Sequence, residues 1–306
     1  MGRRTSPGRA LTRPESPDPG VYGPRSEAWR FNREAMVLLG AGPRALLLQL
    51  AHPAVAAGVD EHSDFRSDPW RRLAGTLRSY LTIVYGTTAA ARAEIRRLNE
   101  LHRSIAGEGY EARDPALSLW VHATLVDSTI AVHDAWIERV VRERRARYYL
   151  ETRPIGRAFG IPDDRLPPDI DAFEEYVGSM LGPGGEVQVS ATARELARTI
   201  LEPPLAPLAP ALGDILRAIP SATYRWTLWP SVGLLPAVVR EGYGLEWGPR
   251  ERIVSAWLVA GWRAWRPWIP ESWRWMARAR AADARMRSVA RGGTDPSASS
   301  SGGTGA

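Results

Sequence analysis

The feature that most constrains the fold of this 306-residue chain is the helical spacing of its apolar residues. From about residue 25 to residue 290, apolar side chains recur every three or four positions, and no alternating run is long enough to predict a strand. A capping acid precedes a proline at Asp68-Pro69 and at Asp114-Pro115, and Gly86 and Gly107 stand where helices should end. The sequence therefore predicts an all-α fold with many helices in a single globular domain.

The predicted domain spans residues 25–290. Residues 1–24 and 291–306 are rich in Pro, Gly, Ser and Arg without an apolar period, so a disordered arm and tail are predicted there. The predicted helices are 26–40, 43–49 with a continuation past residue 53, 69–85, 89–106, 115–139, 142–159, 170–181, 191–201, 209–219, 249–264 and 271–290.

Composition excludes several classes of site and partner. The chain has no Cys, so disulfides, iron–sulfur clusters, thiolate-ligated haem and covalently attached haem are excluded. All 40 basic residues are Arg, which indicates a GC-rich bacterial genome. Asp and Glu interleave with Arg along the predicted helices instead of leaving a basic stripe, so no nucleic-acid partner is predicted.

No stretch has the uninterrupted apolar length of a transmembrane span; the nearest, residues 45–59 and 226–239, are broken by prolines. Arg3-Arg4 is not followed by the apolar run of a signal peptide, so a cytoplasmic location is predicted. Nine of the 13 Trp lie in the last third of the chain, between Trp226 and Trp275, with Arg among them. Packing of the last helices is the simpler interpretation, and peripheral contact with a membrane or a lipid-like substrate is the alternative.

Among the five histidines, His102 is the most informative. It continues the apolar spacing of Ile95, Leu98 and Ile105, which predicts that its ring points into the core. A buried neutral imidazole needs a partner for its nitrogens. From spacing alone, a core histidine bonded to a carbonyl is the more frequent case, and a metal ligand is the alternative.

A second candidate group lies on the preceding predicted helix. Arg72 and Thr76 are one turn apart, beside an inward stripe of Leu73, Leu77, Tyr80 and Val84. A guanidinium at the core edge needs an anion. The structural partner would be Asp60, Glu61 or Asp68, and the functional one an acidic group of a cofactor. His122 and His133 are 11 residues apart on one helix, about 16 Å, so they cannot share a metal.

The order of the motifs is more specific than any one of them. The series is His52-Pro53-Ala54-Val55, His62-Ser63-Asp64-Phe65, Asp68-Pro69, Arg72-Leu73-x-x-Thr76, His102-x-x-Ile105-x-Gly107, Tyr110-x-Ala112, Leu119-Trp120-Val121-His122-Ala123-Thr124-Leu125, Leu234-Leu235-Pro236, Arg240 and Tyr243-Gly244-Leu245. Over roughly residues 27–285, it resembles the catalytic-domain family shared by MpaB-type oxygenases and rubber oxygenase (latex clearing protein).

The resemblance implies a globin-like helical core holding one non-covalent haem b, and dioxygen-dependent cleavage of carbon–carbon double bonds in isoprenoid chains. By motif, His102 resembles the proximal iron ligand, and Arg72 and Thr76 the arginine and threonine near the haem. The rubber-cleaving branch carries a lysine just before that threonine, whereas this chain has Gly75 and no lysine at all. The sequence therefore does not identify a distal iron ligand, and rubber itself is not the expected substrate.

The sequence thus leads to a haem b-dependent oxidoreductase, an oxygenase that uses dioxygen on a small apolar, isoprenoid-like substrate. In this hypothesis His102 binds iron, and Arg72 holds a propionate or polarises bound oxygen with Thr76 as a hydroxyl donor. One alternative is a helical protein that binds haem or lipid without turnover. The other is a metal-free member in which His102 is bonded within the core.

Overall fold

The computed structural model describes residues 18–64, 67–202 and 228–292, and these ranges are almost wholly helical. The helices are α1 Glu27–Asn32, α2 Ala35–Leu50, α3 Pro53–His62, α4 Pro69–Tyr85, α5 Thr88–Arg103, α6 Pro115–Trp136, α7 Arg142–Ala158, α8 Ile170–Leu181, α9 Ala191–Leu201, α10 Ala237–Gly242, α11 Pro249–Trp265, α12 Glu271–Arg274 and α13 Ala277–Gly292. Residues 228–233 are also helical, and Arg266–Trp268 forms a 3-10 turn.

The predicted all-α class is confirmed. A short antiparallel hairpin, β1 Ala106–Gly107 with β2 Tyr110–Glu111, is the one sheet within the described ranges, and its turn uses Gly109 at a φ of 76°. The sequence assigned Ala106 to the end of a helix instead. The globin-like arrangement of the core stays a prediction.

The centre of the domain is the contact between α2 and α6. The Trp120 indole N–H donates to the Leu48 carbonyl at 3.2 Å, within an apolar cluster that α9 completes. Arg44, 5% exposed, pairs with Asp127 at 2.7 Å and donates to the Ser128 hydroxyl at 2.8 Å. Its Nε donates to the Leu234 carbonyl at 2.9 Å, which fixes the C-terminal part of the chain to the same pair of helices.

Three predicted helices, 69–85, 170–181 and 191–201, have the observed bounds. The predicted break between 40 and 43 is wrong. The helix runs through Pro43 because Ala41 and Arg44, on either side of it, are buried. The chain instead leaves the helix at Arg33-Glu34, where buried Glu34 accepts from Arg266 at 2.8 Å and from Arg274.

The predicted helix 271–290 is also interrupted, at Trp275. A backbone bridge joins Trp275 to Glu34, and the Arg33 guanidinium lies 4.2 Å from the Trp275 ring centroid. The predicted helix 209–219 lies outside the described residues, as do residues 1–17 of the predicted arm and 293–306 of the tail.

Residues 18–24, which the sequence assigned to the arm, contact the domain. The Asp18 carboxylate accepts from the Thr88 amide at 2.8 Å and from the Thr88 hydroxyl at 2.7 Å, and these bonds lower its pKa. Arg285 donates to the Asp18 carbonyl at 3.1 Å. This part of the assigned arm therefore joins the start of α5 to α13.

By length and composition, α6 could cross a membrane, and so could the bent pair α2–α3, whose axes differ by 102°. Half of the α6 window is buried inside the protein, as expected for a core helix. The sequence analysis did not identify α6 as a candidate span.

The packing of α2 on α6 requires glycine at position 40. A Cβ there would lie 2.8 Å from Trp136 and from Val132, whereas a Cβ at Gly178 of α8 meets nothing within 4 Å. Gly40→Ala should lower the free energy of unfolding by about 1–3 kcal/mol through overpacking. Gly178→Ala, at an exposed helical position, should raise it by about 0.5–1 kcal/mol through helix propensity. Urea unfolding measures both, and equal effects of the two variants would contradict this account.

Candidate functional site

The candidate site lies where the start of α4 meets the end of α5. Asp68 caps α4 by accepting from the Arg71 amide at 3.0 Å, and Thr87 caps α5 by accepting from the Ala90 amide at 3.2 Å. Between the two helices stands Gly86, where a Cβ would lie 2.3 Å from the Thr82 carbonyl oxygen. This tight connection turns the chain back on itself, so residues of the first α4 turn face residues of the last α5 turn.

His102 is partly buried in the last turn of α5. Burial lowers the pKa of its imidazole, and the positive charge of Arg72 lowers it further. The ring is therefore neutral at neutral pH and keeps a lone pair on one nitrogen. No hydrogen bond to either ring nitrogen is formed by the residues that the structure describes. The spacing predicted an inward ring, and His102 is half-buried; Arg72 lies close enough for its charge to act on the ring.

Arg72 and Thr76 are exposed on the same face of α4. Of the proposed structural partners, Asp68 pairs with Arg71 at 3.1 Å and Glu61 accepts from the Tyr110 hydroxyl at 2.7 Å. Over residues 18–64, 67–202 and 228–292, no carboxylate forms an ion pair with Arg72. The Thr76 hydroxyl donates to the Arg72 carbonyl at 3.0 Å, so it would have to rotate before it could donate to a ligand.

The surface around these residues is open and partly apolar. Val84 is buried and Leu77 and Tyr80 are half-buried, as the predicted inward stripe requires, but Leu73 is 39% exposed. Leu101, beside His102 in the chain, is 44% exposed. The prediction that Leu73 packs inward is wrong: its side chain stays exposed, although Pro69 one turn earlier is buried.

The residues at this position suit a haem in their donor chemistry. A haem needs one neutral imidazole for iron and favours a guanidinium for a propionate, and His102 and Arg72 provide both side by side. Two cavities of the described chain, of about 320 Å³ and about 270 Å³, are lined by other residues, and neither reaches His102. Within the same ranges, no three His, Asp or Glu side chains converge on a bare metal ion.

The other histidines occupy different environments. His52 caps α3 by accepting from the Ala54 amide at 3.3 Å, and its Nε2 lies 3.1 Å from Glu186. His62 contacts the Ala106 carbonyl at 3.1 Å. These two rings have structural partners.

His122 is a residue whose potential the sequence analysis missed. Its Nε2 is shielded from solvent and has no hydrogen-bond partner among the described residues, and burial lowers the pKa of the ring to about 4. Its Cδ2 faces Gly156 of α7, near Leu166 and Ile161. It is therefore a second neutral imidazole with an unused nitrogen. The sequence motif that contains His122 pointed to this position, but it did not indicate that a ring nitrogen would be buried without a partner in the described chain.

Taken with its helical fold, the sequence comparison defines an all-α oxygenase catalytic domain. Residues 29–270 match the family described as ER-bound oxygenase mpaB/B'/rubber oxygenase, catalytic domain. The match covers most of the chain, so the protein belongs to this family. Membership supports a general oxygenase role and therefore an enzyme.

Two curated relatives share 27% identity with the chain over 225 residues, which is 70% of this chain and 83% of each relative. They are an uncharacterized protein of Mycobacterium bovis and an uncharacterized protein of Mycobacterium tuberculosis. No solved structure matches the chain significantly.

The proximity of Arg72 to His102 can be tested by titration. Arg72→Gln removes a positive charge that disfavours the imidazolium, so the pKa of His102 should rise while remaining below its usual value because burial persists. Arg71→Gln is the matched control, since Arg71 is already paired with Asp64 and Asp68. Proton NMR of the imidazole Cε1–H measures each pKa. An unchanged His102 pKa in Arg72→Gln would show that the two side chains do not interact.

Proposed function

We propose that this protein is a haem b-dependent oxygenase acting on a small apolar, isoprenoid-like substrate. The observation that supports it best is the neutral His102 ring beside an arginine without a carboxylate partner in the described chain, in a member of an oxygenase family. A cytoplasmic location belongs to the same proposal.

Haem b, when bound, would supply the binding and activation of dioxygen. His102 would donate the lone pair of one ring nitrogen to the iron, because its lowered pKa keeps that lone pair free of a proton. Arg72 would hold a propionate or face bound oxygen through its N–H groups, and its charge is permanent at any physiological pH. Thr76 would accept a hydrogen bond in its present rotamer and donate one after rotation.

The proposed reaction is balanced without an external reductant. One carbon–carbon double bond and one dioxygen give two carbonyl groups, with both oxygen atoms retained in the products. The exposed Leu73 and Leu101 offer apolar contact to such a chain at the site. Because the sequence has no lysine, it would offer a bound haem no side-chain amine, which separates this protein from the rubber-cleaving pattern.

Haem binding can be tested directly on the full chain expressed with a haem supply. The wild type should show a Soret band and a b-type pyridine haemochrome, and His102→Ala should lose most of the bound haem. His62→Ala is the matched control, because that exposed ring contacts only backbone and a neighbouring tyrosine. Loss of haem in His122→Ala with retention in His102→Ala would assign the ligand to His122 instead. A colourless wild type would refute the haem proposal.

Turnover separates the oxygenase from the carrier alternative. Reduced, haem-loaded protein should consume dioxygen with an isoprenoid substrate and form carbonyl products. Dioxygen binding without consumption would favour a protein that binds haem or lipid without catalysis.

The C-terminal helices carry an exposed apolar surface that favours peripheral membrane contact in either case. Its members are 70–81% exposed tryptophans on α11, α12 and the turn between them: Trp257, Trp265, Trp268 and Trp273. Helix α11 is apolar on both sides, since Val259 and Trp262 pack on the core while Ile253 and Trp257 face solvent. This corrects the simpler interpretation, in which these tryptophans pack internally.

The occupant that we propose for this tryptophan surface is an anionic lipid bilayer. Arg252 and Arg263 are exposed on α11 and form no ion pair with the described residues, so they are available to acidic headgroups. Indole rings with neighbouring guanidinium groups are typical of side chains at a membrane–water interface.

Sedimentation with vesicles tests the membrane contact. The protein should bind vesicles of phosphatidylcholine with phosphatidylglycerol, and more weakly those of phosphatidylcholine alone. Trp257→Ala with Trp268→Ala should weaken binding about tenfold or more, since each lost side chain removes about 1.5 kcal/mol or more of apolar transfer. Leu39→Ala, on the exposed side of α2, is the control. Self-association in place of vesicle binding would assign the surface to a second copy of the chain.

A further inference from the structure

The cavity of about 320 Å³ lies away from the candidate oxygenase site, among the starts of α2 and α7, the end of α6 and the 3-10 turn. None of its lining residues belongs to α4 or α5. It is lined by polar and charged side chains: four arginines, two glutamates and one histidine. An inference about the ligand of this cavity can therefore be tested independently of the proposed function.

Three buried polar atoms on lining residues have no hydrogen-bond partner in the described chain. They are Oε2 of Glu34, Nδ1 of His133 and Nε of Arg266. Glu34 is 2% exposed and His133 is 3% exposed, so bulk water does not solvate them. Buried polar groups are almost always satisfied, and each orphan costs about 1–3 kcal/mol. A polar occupant of the cavity would satisfy all three.

The charge around the cavity favours an anion. Arg144 bonds Glu27 at 2.9 Å and Glu138 at 2.6 Å, and Glu34 accepts from Arg266 at 2.8 Å. Including the side chains that interact with these carboxylates, six arginines surround four carboxylates: Arg30, Arg33, Arg144, Arg147, Arg266 and Arg274 around Glu27, Glu34, Glu138 and Glu151. The excess is two positive charges.

Arg33 is the cation with the least compensation. It lines the cavity half-buried and stacks on Trp275 at 4.2 Å, but it forms no ion pair within the described ranges. A guanidinium in that setting is suited to bind an oxyanion through two parallel N–H groups.

The orphan atoms also select among anions. The Nε–H of Arg266 requires an acceptor, whereas the carboxylate oxygen Oε2 of Glu34 requires a donor and would repel an anion that has none. Hydrogen phosphate carries both, because three of its oxygens accept and its hydroxyl donates. Sulfate has the same charge near neutral pH but no hydroxyl.

We propose that this cavity binds inorganic hydrogen phosphate, which keeps a hydroxyl near neutral pH. Arg33 and Arg266 donate to its oxygens, and its hydroxyl donates to Glu34.

Calorimetric titration of the full chain near pH 7.5, at constant ionic strength, tests the proposal with inorganic phosphate. Phosphate should bind at a single site. The affinity for sulfate should be lower by about tenfold or more, because sulfate leaves the Glu34 oxygen unpaired. Arg33→Gln should weaken phosphate binding about tenfold or more. Arg198→Gln, at an exposed position of α9 outside the cavity, should leave it unchanged. Methyl phosphate, which near pH 7.5 is mostly a dianion without a hydroxyl, should bind as weakly as sulfate; binding as tight as that of inorganic phosphate would contradict the proposed bond to Glu34.

A second readout is independent of the heat of binding. Burial lowers the pKa of His133 to about 4, with Glu138 and Glu27 opposing and Arg144 and Arg266 reinforcing the shift. A phosphate bound beside the ring favours the imidazolium, so the NMR-measured pKa of His133 should rise on saturation. Equal responses to phosphate and sulfate would show that no hydroxyl pairs with Glu34, and an Arg33→Gln variant that binds phosphate as the wild type does would show that Arg33 is not part of the site. Either result would overturn the proposal.

Discussion

The close packing of α2 on α6 determines where the other helices can lie. Gly40 lets the helices approach, and the buried Arg44 joins them through Asp127 and Ser128. A guanidinium this deep cannot lose its charge, so the pairing is obligatory and fixes the rotation of α2 against α6. The two ends of α2 then lead to different regions. Its N-terminus at Glu34 forms the basic cavity, and its C-terminus turns at His52 into α3, toward the α4–α5 site.

Local signals in the sequence predicted local structure well. An acid followed by proline sets a helix start through one side chain and one fixed φ, so the start of α4 at Asp68-Pro69 could be read directly. The break at Glu34 could not, because its cause lies 232 and 240 residues further along, in Arg266 and Arg274. A helix break that depends on ion pairs with distant residues cannot be predicted from the spacing of apolar residues.

The candidate site was predictable in the same limited sense. Periodicity identified the inward face of α5 and so placed His102. The approach of Arg72 to that ring depends on the turn at Gly86 and was not predicted. Periodicity shows which face of a helix is apolar, but not whether another element covers it. Leu73 is the example, apolar and in phase yet exposed, and the four tryptophans at the C-terminal end repeat the pattern on a larger scale.

The absence of lysine gives a common physical basis to these features. An ammonium group can shed its proton when it is buried, but a guanidinium remains charged and must find an anion or water. Exposed Arg72 has water, so the haem proposal depends on the neutral His102 and on the family rather than on an unmet charge. Arg33 is half-buried, so water reaches it only in part, and it pairs with no carboxylate of the described residues. Glu34 beside it retains an unused oxygen. The guanidinium of Arg33 and the unused oxygen of Glu34 do not pair with each other. A single hydroxyl-bearing oxyanion can accept hydrogen bonds from the first and donate one to the second.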